Sequence, residues 1–206
     1  PVSSLTRRQR LAALLNHAYA CLSVSAAFSR VYEQAGIVNL SVAENGTTLH
    51  TQTCSRNTEN IAIRGDGRVS LGHIGTRTRH KGAALVEASL WRTPYRNLHL
   101  TLIDNALATG QSVNTIWGTT PVTIIPPVPQ SKVGQLYTEL DVLIAPSLWP
   151  ESFGLVTREA MHFGLWVVAS NLGAIGDDII EGQNGHIIDV SDAKDLVRIL
   201  SRIDAN

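Results

Sequence analysis

The chain has 206 residues, of which 44% are hydrophobic and 17% charged, and its 17 basic and 17 acidic residues give a formal net charge of zero. This is the composition of a folded globular protein and excludes a disordered chain. A neutral chain has no strong field to attract nucleic acid or an anionic membrane, so we expect no nucleic-acid partner and expect any anion to be bound by local groups.

The first part of the chain alternates between helix and strand patterns. Apolar residues at helical spacing predict a helix over 5–18, and a second helix over 26–35 lies between short strands at 19–24 and 38–43. Three arginines in the first turn, Arg7, Arg8 and Arg10, fit either an interfacial membrane helix or, more simply, a solvated helix end. Residues 47–66 are polar and without period, which predicts a linker. We therefore expect residues 1–46 to end one domain and residues 67–206 to form another.

After this linker, short apolar segments alternate with helical patterns. Strands are predicted at 69–74, 98–103, 122–125, 142–145, 166–169 and 186–188, and helices at 81–92, 131–140, 154–163, 176–181 and 191–203, the last with Ser191 as N-cap. This alternation predicts an α/β fold, with a Rossmann-like parallel sheet and helices on both faces. Ligands of such sheets bind beyond the carboxyl ends of the strands, so the loops there are the candidate site.

The loop that follows residue 145 has the most informative pattern. Ser152 and Gly154 are predicted to open a helix. The first N–H groups of a helix lack intrahelical partners, and such helix starts bind phosphate. Glu151 and Glu159 flank that helix start, and carboxylates accept hydrogen bonds from sugar and ribose hydroxyls. A nucleotide sugar carries a sugar, a diphosphate and a ribose in the same order as Glu151, the helix start and Glu159. The alternative is an ordinary helix with two solvated acids.

The loop that follows residue 74 is basic. Arg77, Arg79 and Lys81 lie between Gly75 and Gly82 and could neutralise a diphosphate, although a solvated basic turn is the alternative. The order of residues does not match a Walker A loop. His162 and His186 are expected to have packing or surface roles, and Trp149 and Trp166 are expected to pack in the core.

The two cysteines, Cys21 and Cys54, have no metal-binding or redox spacing. We expect free thiols in a reducing, cytoplasmic compartment. We expect no signal peptide, and no apolar run approaches the ~18 residues of a membrane span.

Residues 147–160 read S-L-W-P-E-S-F-G-L-V-T-R-E-A and resemble the E-x7-E signature of retaining GT-B glycosyltransferases of family four. Further segments resemble that family in order, at 22–46, 69–82, 141–147, 164–170 and 181–188. The resemblance implies the carboxyl-terminal, donor-binding half of a GT-B enzyme, with residues 1–46 ending its acceptor-side domain.

The resemblance also implies roles for single residues. Glu159 would bind the ribose, Glu151 would face the donor sugar, and Lys81 would neutralise the leaving diphosphate, which makes Glu151 and Lys81 the catalytic candidates. The remaining expected donor-binding residues are Ser152, Phe153, Gly154, Leu155, Gly75, Thr76, Arg77 and Ile125. Thr76 stands where family members commonly have arginine, so Arg77 is only a candidate for the second phosphate cation. Asp104 replaces a usual glycine and predicts a reshaped loop over 104–120.

The implied reaction is transfer of a sugar from a nucleoside-diphosphate sugar to a saccharide or lipid-linked acceptor, with retention and without a metal or other cofactor. By the same resemblance, most of the acceptor-side domain would lie outside this sequence, so we expect donor binding with little transfer. Peripheral membrane contact, at the inner face, would come through that domain. The alternatives are a catalytically inactive binding module, a GT-B-fold sugar-nucleotide epimerase, and a Rossmann-like binder of another nucleotide.

Overall fold

The computed structural model describes residues 3–46 and 67–205. Its helices are α1 Ser4–Asn16, α2 Ala26–Gln34, α3 Ala83–Arg92, α4 Gln130–Thr138, α5 Leu155–His162 and α6 Ala193–Asp204. Its strands are β1 Cys21–Ser23, β2 Leu40–Val42, β3 Val69–His73, β4 Leu98–Ile103, β5 Val113–Trp117, β6 Thr120–Ile125, β7 Val142–Ala145, β8 Trp166–Ser170 and β9 Gly185–Ile188. The predicted linker and Cys54 lie outside the described residues, so the domain boundary stays a prediction.

A seven-stranded sheet forms the centre of the fold, in the order β5-β6-β4-β3-β7-β8-β9. Every neighbouring pair is parallel except β5 with β6, which is antiparallel. All four residues of β7 are buried, as expected for a strand covered on both faces. The α/β architecture predicted from the alternating pattern is confirmed.

Helices cover both faces of this sheet. On one face α3 and α6 pack their apolar residues against the strands, and α6 contributes Leu196, Ile199, Leu200 and Ile203. On the other face α4 and α5 pack through residues that include Tyr137 and Phe163. Alternate strand residues divide between the two layers, since Leu143 belongs to the second core and its neighbours Val142 and Ile144 to the first. The sheet therefore holds its carboxyl-end loops on a rigid frame.

The first described segment contains α1, β1, α2 and β2, with β1 and β2 paired in parallel as a separate two-stranded sheet. Ser3 and Ser25 cap α1 and α2 by accepting hydrogen bonds from backbone N–H groups two or three residues inside each helix. The Ser25 hydroxyl also donates to the Ser152 carbonyl oxygen at 2.6 Å, which joins this segment to the loop after β7. Among the described helices, none has the length and apolar character needed to cross a bilayer.

Several expectations about local structure are wrong. Strand β5 lies within the region predicted as a loop, because Gly118 allows a tight turn, with φ of 63°, that returns the chain along β6. Residues 176–181, predicted as a helix, form turns, and the Ile180 N–H donates to the Asn184 side chain instead of to a helical carbonyl. The N-cap of α6 is Asp192 rather than Ser191. Trp149, expected in the core, is 68% exposed.

Candidate functional site

The two loops predicted to form the site follow neighbouring strands. Because β3 and β7 are parallel and directly paired, their carboxyl ends open at the same edge of the sheet. The loop after β3 reaches a short 3-10 turn at Arg79–Lys81, and the Leu148 N–H of the other loop donates to the His80 carbonyl oxygen at 2.7 Å. This contact brings Lys81 beside Glu151.

Gly82 allows the two loops to approach each other. Its φ of 77° is a left-handed conformation that side chains other than glycine adopt only with strain. A Cβ atom at this position would lie 2.0 Å from the Pro146 carbonyl oxygen, far inside van der Waals contact. Any larger residue would therefore push the lysine loop away from the glutamate loop.

Lys81 and Glu151 form an ion pair in the free protein. The Lys81 Nζ lies 2.6 Å from Glu151 Oε1, and the two side chains are 34% and 19% exposed. The buried Ser147 hydroxyl lies 2.8 Å from the same Oε1 and 3.0 Å from the His80 carbonyl oxygen. Within the described part of the chain, Glu151 Oε2 accepts no hydrogen bond and the Lys81 ammonium donates no other. The pair thus still presents a carboxylate oxygen and ammonium hydrogens to a ligand.

The chain turns sharply between Glu151 and the start of α5. Glu151 is anchored outside the helix by a bridge to Gly173, in which the Ala174 N–H donates to the Glu151 carbonyl oxygen at 2.8 Å. Gly154, with φ of 78°, is the N-cap of α5, which begins at Leu155, one residue later than expected. Among residues 3–46 and 67–205, the N–H groups of Phe153, Gly154 and Leu155 donate no hydrogen bond. They surround the positive end of α5, an arrangement suited to an anion.

Arg158 holds this turn in place and was not singled out in the sequence. Its guanidinium lies 3.8 Å from the centre of the buried Phe153 ring and donates to the carbonyl oxygens of Phe153 and Ala174. It also pairs with Asp178 at 2.8 Å. Arg158 therefore connects the turn before α5 to the loop after β8. The sequence offers no signal for this role, since an arginine in a helix is most simply solvated.

Glu159 lies on α5, and its position depends on Tyr137 of α4. The Tyr137 hydroxyl donates to Glu159 Oε2 at 2.9 Å. Burial, together with the negative charge of Glu159, raises the pKa of Tyr137, so its hydroxyl remains a hydrogen-bond donor. Glu159 does not line the small cavity that contains Lys81 and Glu151. The structure therefore does not bring Glu159 into the cavity that contains Glu151.

The other predicted residues lie around this centre. Gly75 lines the same small cavity as Glu151, and the Thr76 hydroxyl lies 2.9 Å from that of Thr78. Arg77 lies within ion-pair distance of Glu87 and Asp104, at 3.4 and 3.7 Å, on the side of the site nearer β4. Ile125 ends β6, and its carbonyl oxygen accepts from the Asp104 N–H. The structure thus brings Gly75 together with Lys81 and Glu151, whereas Arg77 already contacts two carboxylates.

His73 is a second residue that the sequence analysis missed. It is the last residue of β3, is 2% exposed and lines the cavity beside Lys81 and Glu151. Burial, the largest cause, and the nearby Lys81 charge lower its pKa, while its hydrogen bond to the Ile144 carbonyl oxygen opposes them. The available signal was one ionisable side chain at the end of a strand whose other residues carry none. His162 and His186 instead contact Phe163 and Trp166, outside this cavity.

No group of three or more His, Cys, Asp and Glu side chains within the described ranges is arranged to hold a metal ion. The charged groups at the site include the Lys81 ammonium, the Glu151 carboxylate and the partial positive charge at the start of α5.

Comparison with known sequences identifies similar proteins. The chain is 37% identical to a D-inositol 3-phosphate glycosyltransferase of Streptosporangium roseum over 81 residues, which are 39% of this chain and 18% of that protein. It is 42% identical to spore coat protein SA of Bacillus subtilis over 67 residues, 32% of this chain and 18% of that protein. The chain thus corresponds to much less than two thirds of these relatives.

Comparison with solved structures shows the same fold. HepE of Anabaena in complex with UDP-glucose superposes with a TM-score of 0.73 and 22% identity, over 97% of this chain and 58% of that one. WaaG, a glycosyltransferase involved in lipopolysaccharide biosynthesis, superposes with a TM-score of 0.70 and 16% identity, over 99% of this chain and 60% of that one. The family model described as glycosyl transferases group 1 matches residues 69–205, more than half of the chain. The chain therefore belongs to the group 1 glycosyl transferase family.

Proposed function

We propose that this chain supplies the donor site of a glycosyltransferase that uses a nucleoside-diphosphate sugar, retains the configuration of the transferred sugar and needs no metal ion. The observation that carries the proposal is the preformed Lys81–Glu151 pair, with Nζ and Oε1 2.6 Å apart, next to the unpaired N–H groups that precede α5. Cations and N–H donors suit a diphosphate, and a carboxylate oxygen suits a sugar hydroxyl.

The geometry supports a division of tasks around the start of α5. The diphosphate would lie against the N–H groups of 153–155 and the hydrogens of Lys81 that are not given to Glu151. The free Oε2 of Glu151 would accept from a hydroxyl of the sugar. Glu159, held by Tyr137, would accept from the ribose through its remaining oxygen. A nucleotide sugar has these parts in this order.

The same groups would favour the chemical step. As the bond from the anomeric carbon to the diphosphate breaks, its electron pair stays on the phosphate oxygen, and negative charge develops there. An ammonium and a helix start that already point at that oxygen stabilise the charge without rearrangement. In this account the protein's own charges replace those of a divalent metal. We propose that the acceptor binds against a domain that precedes residue 46, with Ser25 and Ser152 at the junction.

Calorimetric titration of the chain with UDP, GDP, ADP and NAD tests the donor site. We expect one of the three nucleoside diphosphates to bind and the Glu159→Ala variant to lose that binding. A matched control is Glu139→Ala, at the end of α4. Binding of NAD alone, or unchanged binding by Glu159→Ala, would contradict the proposal.

A further inference from the structure

The side chain of His73 has a nitrogen with nothing to bind. Its Nδ1 lies 2.9 Å from the Ile144 carbonyl oxygen. A carbonyl oxygen can only accept, so the hydrogen is on Nδ1, and in the neutral ring Nε2 is then a bare acceptor. Within the described ranges Nε2 is buried and has no hydrogen-bond partner. A buried acceptor without a partner destabilises the folded state. The simplest explanation for the unpaired Nε2 is therefore that a group from outside the chain donates a hydrogen bond to it.

A small cavity provides room for such a partner. It has a volume of about 30 Å³ and is lined by His73, Gly75, Lys81, Ser147 and Glu151, among others. The absence of a side chain at Gly75 keeps the space beside Nε2 open. A Cβ atom there would lie 3.3 Å from His73 Nε2 and equally close to the Lys81 Cβ. The space is sufficient for an oxygen atom with its hydrogens.

The polar groups around this cavity restrict the chemistry of the occupant. A phosphate or carboxylate oxygen has no hydrogen to give to a bare Nε2. An O–H group can donate to Nε2 while its oxygen accepts from the Lys81 ammonium. A water molecule can also give its second hydrogen to the free Oε2 of Glu151. We propose that His73, Lys81 and Glu151 form a subsite for a single O–H group at the floor of the cleft, with His73 Nε2 as its acceptor.

Two sources can supply that O–H group: an ordered water or a hydroxyl of the donor sugar. The second source rests on the proposed function, whereas the first does not. If the hydroxyl belongs to the sugar, His73 helps to determine which sugar is accepted, because a sugar without that hydroxyl leaves Nε2 unpaired. We expect a sugar without that hydroxyl to bind roughly tenfold more weakly, or weaker still, than a sugar that has it.

A high-resolution crystal structure of the free chain provides the first test. We expect density for one oxygen within hydrogen-bonding distance of His73 Nε2. An empty cavity, or Nε2 bonded to another group of the chain, would overturn the subsite. This result does not depend on whether any nucleotide binds, so the subsite and the proposed donor site can fail separately.

Binding measurements with UDP and UDP-glucose identify the source of the O–H group. His73→Phe keeps a ring but removes the acceptor, and His73→Gln places an amide oxygen where Nε2 stands. For a sugar hydroxyl, His73→Phe weakens UDP-glucose roughly tenfold and leaves UDP unchanged; for a water, both weaken equally. In either case His73→Gln restores most of the affinity.

A matched control separates this effect from packing. His99 lies on β4 beside Ser70 of β3, near the ends of these strands that are remote from the site, and its side chain contacts Thr123. His99→Phe replaces this histidine. We expect it to bind both ligands like the unaltered chain. Unchanged binding of both ligands by His73→Phe, or equal losses in the Phe and Gln variants, would overturn the assignment of His73 as the acceptor.

Discussion

Lys81 is the cation that the account needs most, and its environment explains why. It is held by one contact to Glu151 and by the loop packing at Gly82, so its remaining hydrogens already face the cleft. Arg77 is less suited, because Glu87 and Asp104 both lie within ion-pair distance of it. We therefore assign the phosphate contact to Lys81 first.

Replacement of Lys81 by methionine tests this assignment. Loss of a charge-assisted hydrogen bond of about 1.5–3 kcal/mol should weaken the bound nucleoside diphosphate by roughly 10- to 100-fold. Lys194→Met, an exposed lysine at the start of α6, should bind normally. Calorimetry of both variants with the same nucleotide checks the prediction, and a loss in Lys194→Met as large as in Lys81→Met would contradict it.

Tyr137→Phe tests the positioning of Glu159. The ring stacks on Phe163 with centroids 5.4 Å apart, and phenylalanine keeps that contact. The hydrogen bond of the hydroxyl to Glu159 is lost, together with its longer contact to the Val156 carbonyl oxygen at 3.3 Å. We therefore expect a decrease of about 1 kcal/mol in the free energy of unfolding and several-fold weaker nucleotide binding. Chemical denaturation and calorimetry measure the two effects. A normal affinity in this variant would show that Glu159 does not need Tyr137.

For single residues, the sequence predicted the conspicuous acids and cations of the site and missed the residues that support them. Glu151 and Lys81 stand in or beside glycine-containing loops and Glu159 follows on the helix that one of these loops opens, a context in which a charged side chain is informative. His73 and Ser147 lie at or just after strand ends, and Tyr137 has the apolar spacing of an ordinary core residue. Their roles depend on which elements pack together, which local spacing does not reveal.

Among the elements, the loops after β3 and β7 must pack closely for the site to exist. Gly82→Ala combines a strained φ of 77° with a clash against the Pro146 carbonyl oxygen, whereas Gly110→Ala has a similar φ of 83° and open space. We expect Gly110→Ala to lower the free energy of unfolding by about 1–2 kcal/mol. Gly82→Ala should lower it by more and should also weaken nucleotide binding.

Denaturation and calorimetry of the two variants check this comparison. Equal stabilities would show that only the backbone angle matters at Gly82. A normal nucleotide affinity in Gly82→Ala would show that the close approach of the loops is not needed for binding.

The elements also show where a sequence pattern is insufficient. Central strands such as β7 and β8 are continuous apolar runs and were predicted to within a residue. Strand β5 is partly exposed and polar, so its pairing with β6 through the turn at Gly118 has a weak signal. Residues 176–181 have only two apolar residues, the adjacent Ile179 and Ile180, and the segment forms turns in which the Ile180 N–H donates to the Asn184 side chain.

For the whole molecule, the buried neutral histidine connects the site to stability. His73 has a lowered pKa when folded and the ordinary value of 6.5 when unfolded. Between these values the unfolded chain binds more protons, so the free energy of unfolding should decrease as pH falls through 6.5 and level off below the folded pKa. The difference between the unaltered chain and His73→Phe in denaturation curves from pH 7.5 to 5 isolates this effect. A difference that does not vary with pH would contradict it.

The strand order brings loops that are distant in the sequence together in one site. The alternating pattern predicted a parallel sheet, but not that β3 and β7, about 70 residues apart in the pairing of Leu71 with Val142, are neighbours. That pairing places the lysine loop beside the glutamate loop. The resemblance to a known family anticipated the placement, whereas the spacing of residues alone left it open.

A crystal structure of the chain with the nucleoside diphosphate sugar that binds most tightly tests the central claim most directly. The account predicts a phosphate oxygen within hydrogen-bonding distance of Lys81 Nζ and of an N–H group in 153–155, with a sugar hydroxyl at Glu151. A ligand bound elsewhere, for instance in the groove between α1 and α2, with Lys81 and Glu151 still bonded only to each other and to Ser147, would contradict it.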